Sequence, residues 1–317
     1  MRKTSVNDFE IAVLGAGTMG LCVAQFFAMN GHKVNLYNRT YANLEKALVQ
    51  IENNLQTLVS INQIEEQSIP AAMANIHGSS DLKSAVEHAD FIIENVAEKE
   101  EIKKQIFSQI DQYCEKDVIF SSDTSTMNIY DFLEVSHPER LIITHFFNPA
   151  YVMPLVEIVR GPHTSDETVA VTKELLESCG KKTAVINKAI PGFILNRITL
   201  AVFREAAYIA GNGWASPEDI DKAIVSTFGP RYTFEGPFAL SDFAGLDIYE
   251  RLATLLPPVL CSDTECPSIL SEKTQKGLLG VKSGEGFYKY DDIANAHRER
   301  DTKIMKMIQA IDAVNHS

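Results

Sequence analysis

The sequence is short of positive charge. Its 317 residues include 29 lysines and arginines against 42 aspartates and glutamates, a formal net charge of −13. Nucleic-acid binding needs clustered cations to neutralise phosphates, so no nucleic-acid partner is expected. An anionic ligand must instead be held by a local device such as a helix N-terminus. Paired cysteines are also missing. Cys22, Cys114, Cys179, Cys261 and Cys266 are odd in number, and no two have C-x-x-C spacing. That excludes the common zinc and dithiol motifs and points to thiols in a reducing compartment, with no metal expected. No run of about 18 residues is apolar and uncharged, so no membrane-spanning helix is expected. The opening MRKTSVNDFE turns polar and acidic after its basic start, unlike a signal peptide. There is no internal repeat and no low-complexity tract, which argues against a solenoid or a disordered tail. A cytoplasmic location is the expectation these absences leave.

What remains has the composition of a globular enzyme, with 45% hydrophobic and 22% charged residues. The length suits two domains better than one. In the first half, short apolar runs at residues 10–14, 33–37, 91–94, 118–121, 141–144 and 182–186 read as strands. Helical patterns separate them, among them 98–114 and 166–179. This alternation predicts a parallel sheet covered on both faces. After Pro191-Gly192 the pattern changes to long helices, the first over 193–210. Ser216-Pro217-Glu218-Asp219 is a strong helix start, with an N-cap serine, proline at the first position and acids in the first turn. The fold class expected is α/β: a doubly wound Rossmann domain over residues 1–188, then a smaller all-α domain over 189–317.

Gly15-Ala16-Gly17-Thr18-Met19-Gly20 forms a G-x-G-x-x-G between the first strand and the first helix. Alone the pattern is weak, but in a strand–turn–helix context it reads as a dinucleotide-binding turn. Gly15 permits the turn, Gly17 the approach of a pyrophosphate, and Gly20 close helix–strand packing. The free N–H groups of the turn and of Thr18 and Met19 then face the phosphates. An acid at the end of the second strand ordinarily binds the adenosine ribose and repels a 2′-phosphate. Here the position holds Asn38-Arg39-Thr40. Arg39 is suited to pair with a 2′-phosphate; its plainer roles are adenine stacking or solvation. The cofactor expected is NAD or NADP, with a lean toward NADP.

His145 directly follows the strand over 141–144, at the end that opens onto the ligand crevice of a doubly wound sheet. Oxidation of an alcohol by hydride transfer needs a base for the hydroxyl proton, and imidazole titrates near working pH. Glu157 follows after a proline-bounded loop, and a carboxylate on one ring nitrogen fixes the tautomer and supports the other nitrogen as base.

The stretch His145-Phe146-Phe147-Asn148-Pro149, followed by Met153-Pro154-Leu155-Val156-Glu157-Ile158-Val159, resembles a motif of the 3-hydroxyacyl-CoA dehydrogenase family. Pro191-Gly192-Phe193-Ile194-Leu195-Asn196-Arg197 resembles the opening of that family's helical domain. Asp123-Thr124-Ser125-Thr126 and Ser283-Gly284-Glu285-Gly286-Phe287-Tyr288 resemble two further motifs. The resemblance implies hydride transfer between NAD(P) and C3 of a short-chain 3-hydroxyacyl-CoA. It implies His145 as acid/base, Glu157 as its orienting partner, and Ser125 and Asn196 on the reacting oxygen and substrate carbonyl. Asn148 is implied to hold the loop and substrate, and Glu94 to lie beside the cofactor. A homodimer through the helical domains is implied as well.

Three departures stand out. Asn38 replaces the ribose-binding acid. Asp123 replaces the asparagine that opens the Asn-Thr-Ser-Ser loop. The helix after the second strand keeps Lys46 but continues Ala47-Leu48-Val49, where the family carries several lysines near CoA. A small free hydroxy acid, gulonate- or carnitine-like, therefore stands as the alternative substrate. Arg231, in Gly229-Pro230-Arg231-Tyr232, is either a carboxylate anchor for it or a surface residue. A non-catalytic dinucleotide-binding protein is the remaining reading, and the presence of both His145 and Glu157 argues against it.

Overall fold

Strand β1 (Ile11–Leu14) and strand β4 (Phe91–Glu94) are buried at every position. Continuous apolar runs of this kind belong to central parallel strands with both faces covered, where alternation has no use. In the computed structural model, which describes residues 5–315, these two strands pair in parallel at the centre of one eight-stranded sheet. The others are β2 (Val34–Tyr37), β3 (Ile76–Ser79), β5 (Ile119–Ser122), β6 (Leu141–Phe146), β7 (Leu155–Val159) and β8 (Lys182–Ile186). The order is β3-β2-β1-β4-β5-β6-β7-β8, parallel throughout except for the antiparallel β6–β7 pair. Strand order reverses between β1 and β4, which opens the ligand crevice at their carboxyl ends.

Six helices accompany the sheet: α1 (Thr18–Met29), α2 (Tyr41–Ser60), α3 (Ser68–Ala74), α4 (Leu82–Val86), α5 (Glu100–Tyr113) and α6 (Asp166–Ser178). They build two cores. One gathers Phe26 and Phe27 of α1, Leu44 and Ile51 of α2, and Leu175 of α6. The other gathers Ala85 of α4, Phe107 and Ile110 of α5, and Phe193. The expected strands and helices appear with shifts of one or two residues at their ends. Two strands escaped the sequence reading. β3 contains Gly78 and no apolar run, and the segment that forms β7, which follows the proline-bounded loop, was not proposed as a strand.

The chain divides into two compact units, residues 1–196 and 197–317. The sequence had suggested a boundary near 188. Residues 189–196 pack with the first unit because Phe193 is buried in its second core and Glu157 binds the backbone beyond it. Among the described residues, six helices run from Leu195 onward: α7 (Leu195–Gly211), α8 (Pro217–Arg231), α9 (Pro237–Ala244), α10 (Leu246–Leu255), α11 (Ser268–Gln275) and α12 (Ile293–Asn315). Ser216 caps α8 as expected, its hydroxyl accepting from Asp219 N with Pro217 at the first position. Among the described residues, no helix is long and apolar enough to cross a membrane, and no cluster of three or more potential metal ligands occurs.

Candidate active site

The antiparallel return of β7 brings the catalytic candidates together. His145 on β6 and Glu157 on β7 are direct register partners, so their side chains leave the same face of the sheet side by side. His145 Nδ1 and Glu157 Oε2 are 2.7 Å apart. Glu157 is fully buried. Its other oxygen, Oε1, accepts from Ile194 N at 2.9 Å and Leu195 N at 2.8 Å. With Oε1 taken up by two backbone donors, Oε2 is the oxygen left to face the imidazole, and a carboxylate there accepts from His145 Nδ1. That leaves Nε2 as the nitrogen with a lone pair. The rings of Phe147 and Phe193 lie 4.5 Å and 5.5 Å from the imidazole and fix its plane.

The Pro191-Gly192-Phe193 motif supplies those backbone donors. Gly192 and Phe193 both have positive φ, 76° and 48°. For phenylalanine this is a strained conformation that persists only where the surroundings enforce it. Burial of the Phe193 ring provides that enforcement, and the turn presents two successive N–H groups to Glu157.

Ser125 and Asn196 also meet: Asn196 Nδ2 donates to Ser125 O at 3.0 Å. Ser125 is exposed and follows β5. Its backbone N–H donates to Glu98 Oε1 at 3.1 Å, and the Thr124 hydroxyl donates to the same oxygen. Glu98 Oε2 lies 3.1 Å from Lys103 Nζ. Burial acts to raise the Glu98 carboxyl, but the bonds from Thr124, Lys103 and Ser125 outweigh it and hold it below the usual range. The sequence reading missed Glu98 and Lys103. It named Glu94 for a place beside the cofactor. Glu94 is fully buried, with Lys103 Nζ at 2.9 and 2.8 Å from its two oxygens and further bonds from Ser122 Oγ and Val96 N. It braces the loop from behind, and the partly exposed Glu98 occupies the outer position. The sequence carried no signal for this, because only the fold shows Lys103 on the buried face of α5.

Asn148 is exposed on the loop between β6 and β7. Lys181 clamps that loop from below. Its ammonium donates to Met153 O at 2.7 Å and to Ala150 O, and sits 4.2 Å from the centre of the Phe26 ring. Burial pulls its pKa down to about 8.

The glycine turn fits a dinucleotide. Gly15 has φ of 114°, and a Cβ there would lie 2.5 Å from Asn95 O; one at Gly20 would lie 1.8 Å from Gly15 O. A Cβ at Gly17 would meet nothing within 4 Å, so this glycine keeps open the side on which a phosphate must approach. Gly17 caps α1 without a side-chain bond, which leaves the first N–H groups of Thr18 and Met19 for an anion. At the end of β2, Asn38 donates from Nδ2 to Thr40 O and Oγ1 at 3.2 Å each. Arg39 is exposed. Arg231 lies in the last turn of α8 in the second unit and is also exposed.

A doubly wound sheet with an anion-binding glycine turn at its switch point, and a carboxylate-bound histidine at the same edge, defines a nicotinamide-dinucleotide oxidoreductase. Residues 10–189 match the family model described as 3-hydroxyacyl-CoA dehydrogenase, NAD binding domain. Residues 192–290 match the model for that enzyme's C-terminal domain. The chain belongs to the 3-hydroxyacyl-CoA dehydrogenase family, and its cofactor is NAD(P). It is 36% identical to a probable 3-hydroxybutyryl-CoA dehydrogenase of Bacillus subtilis, over 89% of this chain and 98% of that one. It is 34% identical to 5-formyl-3-hydroxy-2-methylpyridine 4-carboxylate 5-dehydrogenase of Mesorhizobium japonicum, over 89% of this chain and 90% of that one. A crystal structure of an enzyme of that second name, an NAD+ dependent dismutase, superposes with a TM-score of 0.87 at 32% identity. It covers 96% of this chain and 99% of that one.

Proposed function

We propose that this protein transfers a hydride between NAD(P) and the C3 hydroxyl or keto carbon of a short-chain 3-hydroxyacyl-CoA. The observation that carries the reading is the His145–Glu157 pair, with Nδ1 held and Nε2 free. In oxidation His145 Nε2 takes the hydroxyl proton, and Glu157 steadies the imidazolium that forms; in reduction the same nitrogen returns the proton. Ser125 donates its hydroxyl to the reacting oxygen. Asn196, already bonded to Ser125 O, holds the substrate carbonyl. Asn148 closes the loop side of the substrate. Bound nicotinamide supplies or accepts the hydride. Thr18 and Met19, with the glycine turn, hold the pyrophosphate at the start of α1. The absence of a carboxylate at the end of β2, with Arg39 exposed beside it, favours NADP over NAD.

A second reading is a small free hydroxy acid. One observation favours it: α2 carries one lysine, Lys46, against Glu45 and Glu52, a poor surface for the phosphates of CoA. The superposition with a pyridine-carboxylate dehydrogenase is consistent with it. Arg231 is then the carboxylate anchor. Initial rates with acetoacetyl-CoA and with free keto acids, each with NADH and NADPH, decide both questions. Turnover of acetoacetyl-CoA alone supports the first reading, and turnover of free acids alone overturns it.

The helical unit leaves large apolar side chains in solvent, with Phe238 87% and Phe243 84% exposed. Large apolar side chains left in solvent are compatible with a homodimer through this unit. A monomeric mass by light scattering at micromolar concentration would remove that part of the reading.

A further inference from the structure

One acidic side chain at the carboxyl edge of the sheet has no part in the chemistry above. Asp123 follows β5. Its Oδ1 accepts from Phe146 N at 2.8 Å, one residue beyond His145. Its Oδ2 accepts from Asn95 Nδ2 at 2.5 Å. Asn95 in turn packs on the glycine turn: a Cβ at Gly20 would lie 3.2 Å from Asn95 Cβ. Asp123 therefore stands between the turn that takes the pyrophosphate and the histidine at which the hydride must be exchanged. The reactive end of a dinucleotide has to cross this span.

The carboxylate is not there for its hydrogen bonds. An asparagine at 123 would accept from Phe146 N through its oxygen and donate through its amide to Asn95. With Asn95 turned to accept that amide, its own Nδ2 takes the unpartnered place that Oδ1 holds now, so the neutral residue keeps as many hydrogen bonds as the acid. What the acid adds is charge. The neighbouring charges leave that charge uncompensated. Lys103, the nearest buried cation, is bonded to Glu94 and Glu98, and His145 is bonded to Glu157. Burial accordingly pushes the Asp123 carboxyl well above the usual carboxylate range, Glu94 adds to the push, and the bonds from Phe146 and Asn95 and the charge of Lys103 oppose it. The oxidised nicotinamide ring carries a positive charge and the reduced ring carries none.

We propose that Asp123 sets the redox preference of the crevice: its carboxylate favours the oxidised, cationic nicotinamide over the reduced ring. The inference rests on the reading of His145 as the residue at the hydride-exchanging end. It is tested by binding alone, so its failure leaves the catalytic assignment standing.

The test measures dissociation constants of oxidised and reduced cofactor by calorimetry and nucleotide fluorescence. It uses His145→Gln protein with and without Asp123→Asn, so that the imidazole does not titrate. Asp123→Asn should weaken oxidised cofactor by on the order of tenfold, as expected for one charge acting through a partly screened few ångströms. Reduced cofactor should bind as before or more tightly. An unchanged ratio of oxidised to reduced affinity would overturn the proposal. So would an unchanged ratio in Asp123→Ser, a second neutral variant, with a melting curve on each variant to show that it is folded.

Discussion

Replacing Glu157 by glutamine removes one charge and adds one donor pair at a fully buried position. The carboxylate accepts three hydrogen bonds, from His145 Nδ1, Ile194 N and Leu195 N. Glutamine has one accepting oxygen and two ways to place it. If the oxygen faces Ile194 and Leu195, the amide must donate to His145 Nδ1. The imidazole proton then moves to Nε2, and the nitrogen facing the substrate loses its lone pair. If the oxygen faces His145, the amide hydrogens oppose two backbone donors, and each buried donor left unmade costs about 1–3 kcal/mol. The first arrangement is lower in energy and leaves no base. Turnover should therefore fall by the worth of positioned acid–base catalysis, roughly 10²–10⁴-fold, while the protein stays folded. The assay is single-turnover reduction with cofactor pre-bound, followed by nucleotide absorbance, with a melting curve alongside. A Glu157→Gln enzyme with near-normal turnover and an unchanged pH–rate profile would refute the assignment of Glu157 as the orienting partner.

Four further outcomes follow from the same geometry. Gly20→Ala places a methyl 1.8 Å from Gly15 O and should abolish cofactor binding by fluorescence titration, with a lowered melting temperature. Ser125→Ala and Asn196→Ala should each lower kcat/KM, since each leaves a substrate oxygen unpaired; a large loss of cofactor affinity in either would place that residue on the wrong side of the nicotinamide. Arg39→Ala should weaken NADPH by roughly tenfold or more relative to NADH, the worth of a charge-assisted bond, an effect that shrinks with salt; equal loss for both cofactors would make Arg39 a stacking or surface residue. Lys181 is held at about 8 in the fold, below its unfolded value. Its charged form therefore opposes folding, and stability from this group increases as pH rises from about 8 toward the unfolded value. Wild type should gain melting temperature on Lys181→Met across that window, and parallel curves would contradict the burial argument.

The sequence made legible whatever depends on period and on turn chemistry. β1 and β4 read as unbroken apolar runs, α8 announced itself through Ser216 and Pro217, and the glycine turn was recognisable from its strand–turn–helix context. β3 was illegible because its four residues, Ile76 to Ser79, include a histidine, a glycine and a serine at the sheet edge. β7 was missed because Pro154 precedes it, and with it went the reason for the His145–Glu157 pairing: they are register partners across an antiparallel ladder, a relation that no spacing along the chain reveals. Glu98 and Lys103 lay in a stretch read only as a helix over 98–114. Only the fold shows that Lys103 points inward to Glu94 while Glu98 turns to the Ser125 backbone. The boundary near 188 was taken from proline and glycine, whereas the structure carries the first unit on to 196 through the buried ring of Phe193.

His145→Gln tests the central claim most directly. The variant keeps the shape of the side chain and a hydrogen-bond partner for Glu157 but has no nitrogen able to take a proton. Cofactor affinity, read by the fluorescence of bound reduced nucleotide, should match wild type. Turnover with the substrate identified by the initial-rate comparison should fall by roughly 10²–10⁴-fold, mainly in kcat. Retained cofactor binding together with near-normal kcat would contradict the account, because hydride transfer would then be proceeding without the proton partner placed here at His145 Nε2.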